Sequence, residues 1–176
     1  MLTGGSVLSG TGAEPSPTTD VLVCGDRIEA IGPAASRAVA EQADAEAVRR
    51  IDATGCTVMP GLIDAHMHVE STMLMPREFA RLAVAHGTTA AVIDPHEIAN
   101  VLGLPGIRWF LDSARHLAMD LRVQLSSCVP ATALETSGAR LGASELLSLA
   151  GHPKAGGLAE MMNFPGVVNG LPSELE

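Results

Sequence analysis

Two histidines stand one residue apart in an otherwise apolar stretch of the 176-residue chain, "PGLIDAHMHVESTM" at residues 60–73. The stretch predicts a β-strand, and side chains alternate between the two faces of a strand. Four polar side chains would then share one face: Asp64, His66, His68 and Glu70. Buried polar groups without partners cost about 1–3 kcal/mol each. Because imidazoles two residues apart on a strand can reach one cation, the pattern favours metal binding over two hydrogen-bonded core histidines.

A second group of ionisable side chains follows the strand predicted over residues 88–94, in the sequence "DPHE": Asp94, His96 and Glu97. A plain loop with an Asx turn at Asp94 would also explain this sequence. Three ionisable groups within four residues favour a functional role. Contact with substrate, support of a metal ligand and metal binding itself all remain open for them.

Glu160 lies at the end of the strand predicted over residues 155–161, whose glycines permit close packing. The carboxyl ends of parallel strands in a barrel form one rim, where functional groups gather. Taken alone, Glu160 also fits a solvated acid at a strand end. Ser127 leaves a third predicted strand at the same rim, and we expect it to line the pocket.

Strands and helices alternate after residue 60, which predicts parallel strands joined by right-handed crossovers. The predicted strands cover residues 61–69, 88–94, 121–127 and 155–161, and the predicted helices cover residues 76–86, 105–119 and 144–151. The apolar face of the first strand is expected to pack beneath helices. Four such units make about half of an eight-stranded barrel, which needs about 250 residues. The alternatives are a small open α/β sheet and a chain that stops in mid-barrel.

Residues 1–60 differ from the rest and predict a separate domain, so that the second domain covers residues 61–176. Short apolar runs indicate antiparallel strands, with a hairpin at Gly25 and Asp26. Residues 34–48 predict a loose or briefly helical connection. No charged cluster in this region suggests chemistry, so we expect it to act as scaffold.

Composition restricts the class of protein. The net charge is −9 without a basic cluster, which argues against nucleic acid and anionic membranes as partners. Three widely separated cysteines do not predict a disulfide framework and favour a reducing compartment. The N-terminus lacks the features of a signal peptide, and no apolar stretch is long enough for a membrane helix. We therefore expect a cytoplasmic protein.

The sequence also resembles a known family. "PGLIDAHMHVES" resembles the first barrel strand of the amidohydrolase superfamily, and "DVLVCGDRIEAIGP" resembles the small β-domain that precedes that barrel. Residues 86–109, 126–139 and 157–168 together resemble the adenine deaminases of that superfamily, with the likeness running over about residues 51–170. The resemblance implies an α/β fold: an incomplete (β/α)₈ metal-dependent hydrolase barrel of about four βα units, preceded by part of a small β-sandwich domain.

The resemblance further implies two divalent metal ions, Mn²⁺ or Fe²⁺, with Zn²⁺ as an alternative. His66 and His68 would bind one ion, and Glu160 would bridge the pair. Five further side chains are candidates for contact with substrate or support of the ligands: Glu70, Asp94, His96, Glu97 and Ser127. The family's remaining ligands come from later strands and have no counterpart here. Ala159 stands where we expect a glycine before the bridging glutamate.

The implied reaction is hydrolytic deamination of adenine to hypoxanthine and ammonia, a step of purine salvage. We expect the full-length protein to be a homo-oligomer and this chain, as an N-terminal portion, to be inactive alone. The expected reason is that the second metal site and the carboxylate that shuttles protons are missing. Two alternatives stay open: another amidohydrolase, such as a sugar deacetylase or cyclic-amide hydrolase, and a non-catalytic assembly module.

Overall fold

The computed structural model describes residues 1–41, 47–132 and 134–175. The chain divides into two compact units, Met1–Pro60 and Gly61–Glu176. None of the helices in the described ranges combines the length and the hydropathy needed to cross a bilayer.

The first unit contains one described α-helix and five strands: α1 (Pro33–Ala40), β1 (Leu2–Val7), β2 (Thr19–Cys24), β3 (Arg27–Ile31), β4 (Ile51–Asp52) and β5 (Thr57–Val58). The predicted hairpin is confirmed, because β2 and β3 pair antiparallel around Gly25, whose φ of 60° suits glycine. The prediction of antiparallel pairing throughout is wrong, since β1 pairs parallel with both β4 and β5. The long connection through α1 acts as a crossover that returns the chain alongside β1.

Helix α1 forms the first part of the predicted connection and covers the β-sheet of its unit. Pro33 opens the helix, where its missing N–H costs nothing. Ala35 and Val39, four residues apart on one helix face, pack with Leu22 of β2 in a small apolar core. Residues 42–46 of the predicted connection lie outside the described residues.

The second unit is a parallel sheet in the order β6-β7-β8-β9. Its elements are β6 (Leu62–Met67), α2 (Pro76–Ala85), β7 (Thr88–Ile93), α3 (His96–Leu102), α4 (Leu104–Ser113), β8 (Asp120–Leu125), α5 (Ala143–Leu147), β9 (Ala155–Leu158), α6 (Phe164–Val168) and α7 (Pro172–Leu175). The predicted partial α/β barrel is confirmed. Within the described residues the sheet does not close, and β6 and β9 form its two edges.

The core of the second unit lies around the two central strands. Ile93 of β7 and Leu121 of β8 are fully buried, and Ile107 and Leu111 pack there from one face of α4. The helix predicted over residues 105–119 is present as α4, although the α-helix ends at Ser113 and a 3₁₀ helix follows. This core holds the strand ends that carry the ionisable side chains.

Two features of the second unit differ from the sequence-based prediction. Ile63 of β6 is 68% exposed rather than packed beneath helices, because β6 is an edge strand and α2 contacts β7. Helix α3 was not predicted, since no helix was assigned between residues 94 and 105. The helix follows Pro95 and is followed by Gly103, which is the usual signal for a short helix.

Candidate metal centre

The two histidines of the His-x-His pair stand at the carboxyl end of β6. His66 lies within the strand, and His68 follows its last residue, Met67. Their rings are perpendicular, with centroids 5.0 Å apart. Glu70 was predicted on the same strand, and this prediction is wrong. Val69 adopts helical backbone angles, so the strand has ended and Glu70 opens a 3₁₀ helix.

Glu160 reaches the same rim from the opposite edge of the sheet. Strand β9 ends at Leu158 rather than at the predicted residue 161, but the Ala159 N–H still donates to Leu125 O over 2.9 Å. The next residue is Glu160, whose backbone carbonyl accepts a hydrogen bond of 2.6 Å from Ser127 Oγ. Ser127 therefore helps to fix the backbone that carries the Glu160 carboxylate.

A close approach of β8 and β9 depends on one glycine before Glu160. Gly157 has a φ of 153°, which side chains rarely tolerate, and a Cβ there would lie 3.0 Å from Gln124 Oε1. The expected role of the glycines in close packing is therefore confirmed at this position.

The structure brings His66, His68 and Glu160 together. Glu160 Oε2 lies 3.6 Å from His66 Nε2, and Glu160 Oε1 lies 3.7 Å from His68 Nε2. Two atoms that each bond a tetrahedral ion at about 2.1 Å lie about 3.4 Å apart. The three side chains therefore fit the donor set of a divalent cation, with nitrogen and oxygen atoms at suitable separations.

Asp94 is a buried centre of hydrogen bonds just past the end of β7, with 1% of its surface exposed. Its carboxylate accepts a 2.6 Å hydrogen bond from Ser126 Oγ and faces His96 Nδ1 at 3.2 Å. Its backbone carbonyl lies 2.8 Å from His68 Nδ1. Because a carbonyl can only accept, Nδ1 of His68 carries a proton, and Nε2 is the ring nitrogen that faces Glu160.

His96 and Glu97 open helix α3 and lie next to His68. Glu97 Oε2 is 3.7 Å from His96 Nε2 and also 3.7 Å from His68 Nδ1. Its other oxygen accepts a hydrogen bond from Ser71 Oγ at 3.3 Å. The rings of His68 and His96 have centroids 4.6 Å apart, so this group adjoins the first three residues.

Glu70 lies beside Glu97 and also within electrostatic reach of His68. Its Oε1 accepts a long hydrogen bond of 3.4 Å from the Ile98 N–H. Burial raises the pKa of Glu70, and the neighbouring Glu97 carboxylate raises it further. A carboxyl group that holds its proton more readily than usual can take part in proton transfer.

We call these seven side chains the carboxyl-edge cluster: His66, His68, Glu70, Asp94, His96, Glu97 and Glu160. Within the described part of the chain, none of its four carboxylates has an ion pair with lysine or arginine. Four carboxylates and three imidazoles therefore lie together without a fixed positive charge. An uncompensated group of this kind favours cation binding.

Sequence reasoning missed the role of Ser126, which is buried and holds Asp94. The sequence contained one indication that Ser126 lies near Asp94. Ser126 directly follows β8 as Asp94 directly follows β7, and residues that follow neighbouring parallel strands meet at one rim. Cys128 is buried and accepts hydrogen bonds from the backbone N–H groups of Met162 and Asn163.

A cavity of about 1000 Å³ lies beside the cluster, with Ser127, Cys128, Leu158 and Met161 among its lining residues. The three histidines and Glu160 do not line it. The cavity is mainly apolar, so the candidate site is assigned to the ionisable cluster, where groups able to bind a cation converge.

The parallel sheet with helices is that of a partial α/β barrel, and the chain belongs to the amidohydrolase family, whose model matches residues 57–168. Over 150 residues it is 54% identical to an adenine deaminase of Cereibacter sphaeroides, covering 85% of this chain and 25% of that protein. Over 154 residues it is 50% identical to adenine deaminase 1 of Agrobacterium fabrum, covering 88% of this chain and 25% of that protein. The chain thus spans about a quarter of the length of these curated relatives.

Among solved structures, the atrazine chlorohydrolase TrzN from Arthrobacter aurescens TC1, in complex with zinc, is similar with a TM-score of 0.59. The two chains are 18% identical, and the match covers 85% of this chain and 42% of TrzN. At 18% sequence identity, the similarity to TrzN supports the fold of the chain alone.

Proposed function

We propose that this chain is a metal-binding portion of an adenine deaminase, which hydrolyses adenine to hypoxanthine and ammonia in purine salvage. The observation that carries the proposal is the meeting of His66 Nε2 and His68 Nε2 with the two carboxylate oxygens of Glu160. The names of the relatives at 50% and 54% identity support the choice of substrate.

His66, His68 and Glu160 would hold the first of two divalent cations. Imidazole and carboxylate donors suit several first-row metals, and we propose Mn²⁺ or Fe²⁺, with Zn²⁺ as the alternative. Such cations, when bound, activate a water molecule as a nucleophile near neutral pH. Among the chain's own groups, Asp94 orients the His68 ring, and Ser127 positions the Glu160 backbone.

We propose that Glu70 contacts the substrate or supports the metal ligands, because its carboxyl group lies beside Glu97 at the same rim. Its unbonded oxygen, Oε2, is buried and accepts no hydrogen bond from the described residues. We propose that this oxygen faces the reacting region in the complete enzyme.

We also propose that the enzyme acts in the cytoplasm as a homo-oligomer, without nucleic acid or membrane as partner. All three cysteines are free, and two of them are exposed, which suits a reducing compartment. The charge of −9 disfavours polyanions. Exposed apolar side chains, such as Leu158 and Val168, offer surface for contact between subunits.

Ammonia release from adenine tests the proposed activity. The Cereibacter sphaeroides relative serves as host, and this chain replaces the matching 150-residue segment of that enzyme. We expect the chimaera to release ammonia from adenine with added Mn²⁺. The 176-residue chain alone should release none, because it offers only part of the implied ligand set.

A matched variant of the chimaera, His66→Gln, should abolish the release of ammonia while circular dichroism remains unchanged. A folded chimaera that binds Mn²⁺ but does not deaminate adenine would contradict the substrate and would favour another amidohydrolase reaction. Full activity of His66→Gln would contradict the assigned metal position.

A further inference from the structure

We propose that the chain carries a second cation position of its own, formed by Nε2 of His96 and Oε2 of Glu97. It lies beside the position formed by His66, His68 and Glu160, and the inference rests on the proposed function of those three residues. It differs from the second metal position that the family resemblance implies, because that position takes its histidines from later strands.

Asp94 contacts the Nδ1 atom of two imidazole rings, through its backbone carbonyl at His68 and its carboxylate at His96. His68 Nδ1 lies 2.8 Å from the Asp94 carbonyl, and His96 Nδ1 lies 3.2 Å from the Asp94 carboxylate. Metal-binding histidines almost always donate their second ring N–H to a carbonyl, a carboxylate or water, which fixes the tautomer. Both Nε2 atoms are therefore available as ligands, and His68 Nε2 faces Glu160. His96 Nε2 faces Glu97 instead.

Glu97 Oε2 is a buried carboxylate oxygen that accepts no hydrogen bond from the described residues. It lies 3.7 Å from His96 Nε2. A lone pair and a carboxylate that face each other out of water repel unless a positive charge lies between them. Bonds of about 2.0–2.2 Å to each atom would span up to about 4 Å, so the gap accommodates a cation.

Surrounding groups also favour a second cation. A carboxylate oxygen of Glu160 and a ring nitrogen of His96 lie within 4.8 Å of each other, so Glu160 adjoins both positions. Ser71 holds the other oxygen of Glu97, which leaves Oε2 directed at His96. One divalent cation would balance only two of the four carboxylates in the cluster.

Binding of Mn²⁺ to the metal-free 176-residue chain tests the inference, with free Mn²⁺ counted by electron paramagnetic resonance. We expect two Mn²⁺ per chain for the parent protein and one for His96→Gln. His66→Gln should also bind one, and the double variant none. Glu97→Gln, which keeps the size of the side chain, should bind one as well. Circular dichroism checks that each variant is folded.

The outcomes separate this inference from the proposed function. A parent chain that binds one Mn²⁺, with His96→Gln and Glu97→Gln unchanged and His66→Gln binding none, would overturn the second position and leave the first intact. A parent chain that binds no Mn²⁺ would overturn both positions.

Discussion

The two ends of the parallel sheet carry charged side chains in opposite arrangements. At the carboxyl end, three of the four carboxylates of the cluster lie within 4 Å of an imidazole nitrogen, and none of the four has a lysine or arginine partner among the described residues. At the amino end, Asp120 opens β8 between Lys154 Nζ at 2.8 Å and Arg122 Nε at 3.0 Å. We call Asp120, Arg122 and Lys154 the amino-edge cluster.

The presence of lysine and arginine partners at the amino end, and their absence from the described carboxyl-edge cluster, distinguishes charges that stabilise the fold from charges that suit a binding site. Hydrogen bonds from Lys154 and then Arg122 hold the pKa of Asp120 below its ordinary value, so its charge is compensated inside the fold. At the carboxyl end, burial raises the pKa of Glu70, and compensation must come from a bound cation or from protons. In barrels of this class the carboxyl face carries chemistry, and the amino face serves stability.

The largest effect is expected from Glu160→Gln at the carboxyl edge. The amide removes the charge that faces both His66 and His68 while keeping the shape of the side chain. We expect the affinity for Mn²⁺ at the first position to fall by more than about 100-fold, beyond the range for a group that only supports a ligand. Isothermal titration calorimetry measures the change. Asp120→Asn is the matched control, and an equal loss of affinity there would break the comparison.

A smaller loss is expected from Asp94→Asn, which leaves every proposed ligand in place. The substitution weakens the hold on the His96 ring and on Ser126. Removing a group that orients a metal-binding histidine typically lowers metal affinity by about 10–100-fold. We expect calorimetry to show a loss of Mn²⁺ affinity in that range. Unchanged affinity for Mn²⁺ in the folded variant would show that the Asp94 carboxylate serves the fold alone.

Ser126→Ala is expected to act mainly on stability. The variant removes the 2.6 Å hydrogen bond to the buried Asp94 carboxylate, and water cannot easily replace it. We expect the free energy of unfolding to fall by about 1–2 kcal/mol in urea titrations. The exposed Ser144→Ala should change it by much less, and equal effects of the two would contradict the role given to Ser126.

The smallest effect is expected from Asp120→Asn, and it should depend on pH. The pKa of Asp120 is lower in the folded chain than in the unfolded chain, so its contribution is present above the unfolded pKa of about 3.9. That contribution is lost as the pH falls through the folded pKa. Since the amino-edge cluster is partly exposed, we expect the free energy of unfolding to fall by about 0.2–1 kcal/mol at pH 7 in urea titrations. The difference should vanish at low pH, and an effect that grows on acidification would contradict this account.

Much of the fold could be predicted because the sequence pattern of each strand or helix lies within a short stretch of the chain. The alternation of strands and helices after residue 60 predicted the parallel sheet. The ends of the elements were less predictable. Alternation alone extended the first strand as far as residue 69, whereas the buried Val69 has helical angles and turns the chain into the core.

The candidate site could be predicted only in part, for a related reason. His66, His68 and Glu160 were recognisable by type and by position at strand ends. The central place of Asp94 was not, because it depends on the register that sets Met67 opposite Ile93 and so brings His68 beside Asp94. The contact between Glu97 and His96 depends on α3, a helix that was not predicted.

Anomalous X-ray scattering from crystals of the chain grown with Mn²⁺ tests the central claim most directly, because it shows where a cation binds. The account predicts a peak within bonding distance of His66 Nε2, His68 Nε2 and the Glu160 carboxylate. Crystals in which these three side chains are ordered as described here, with no peak between them at saturating Mn²⁺, would contradict it.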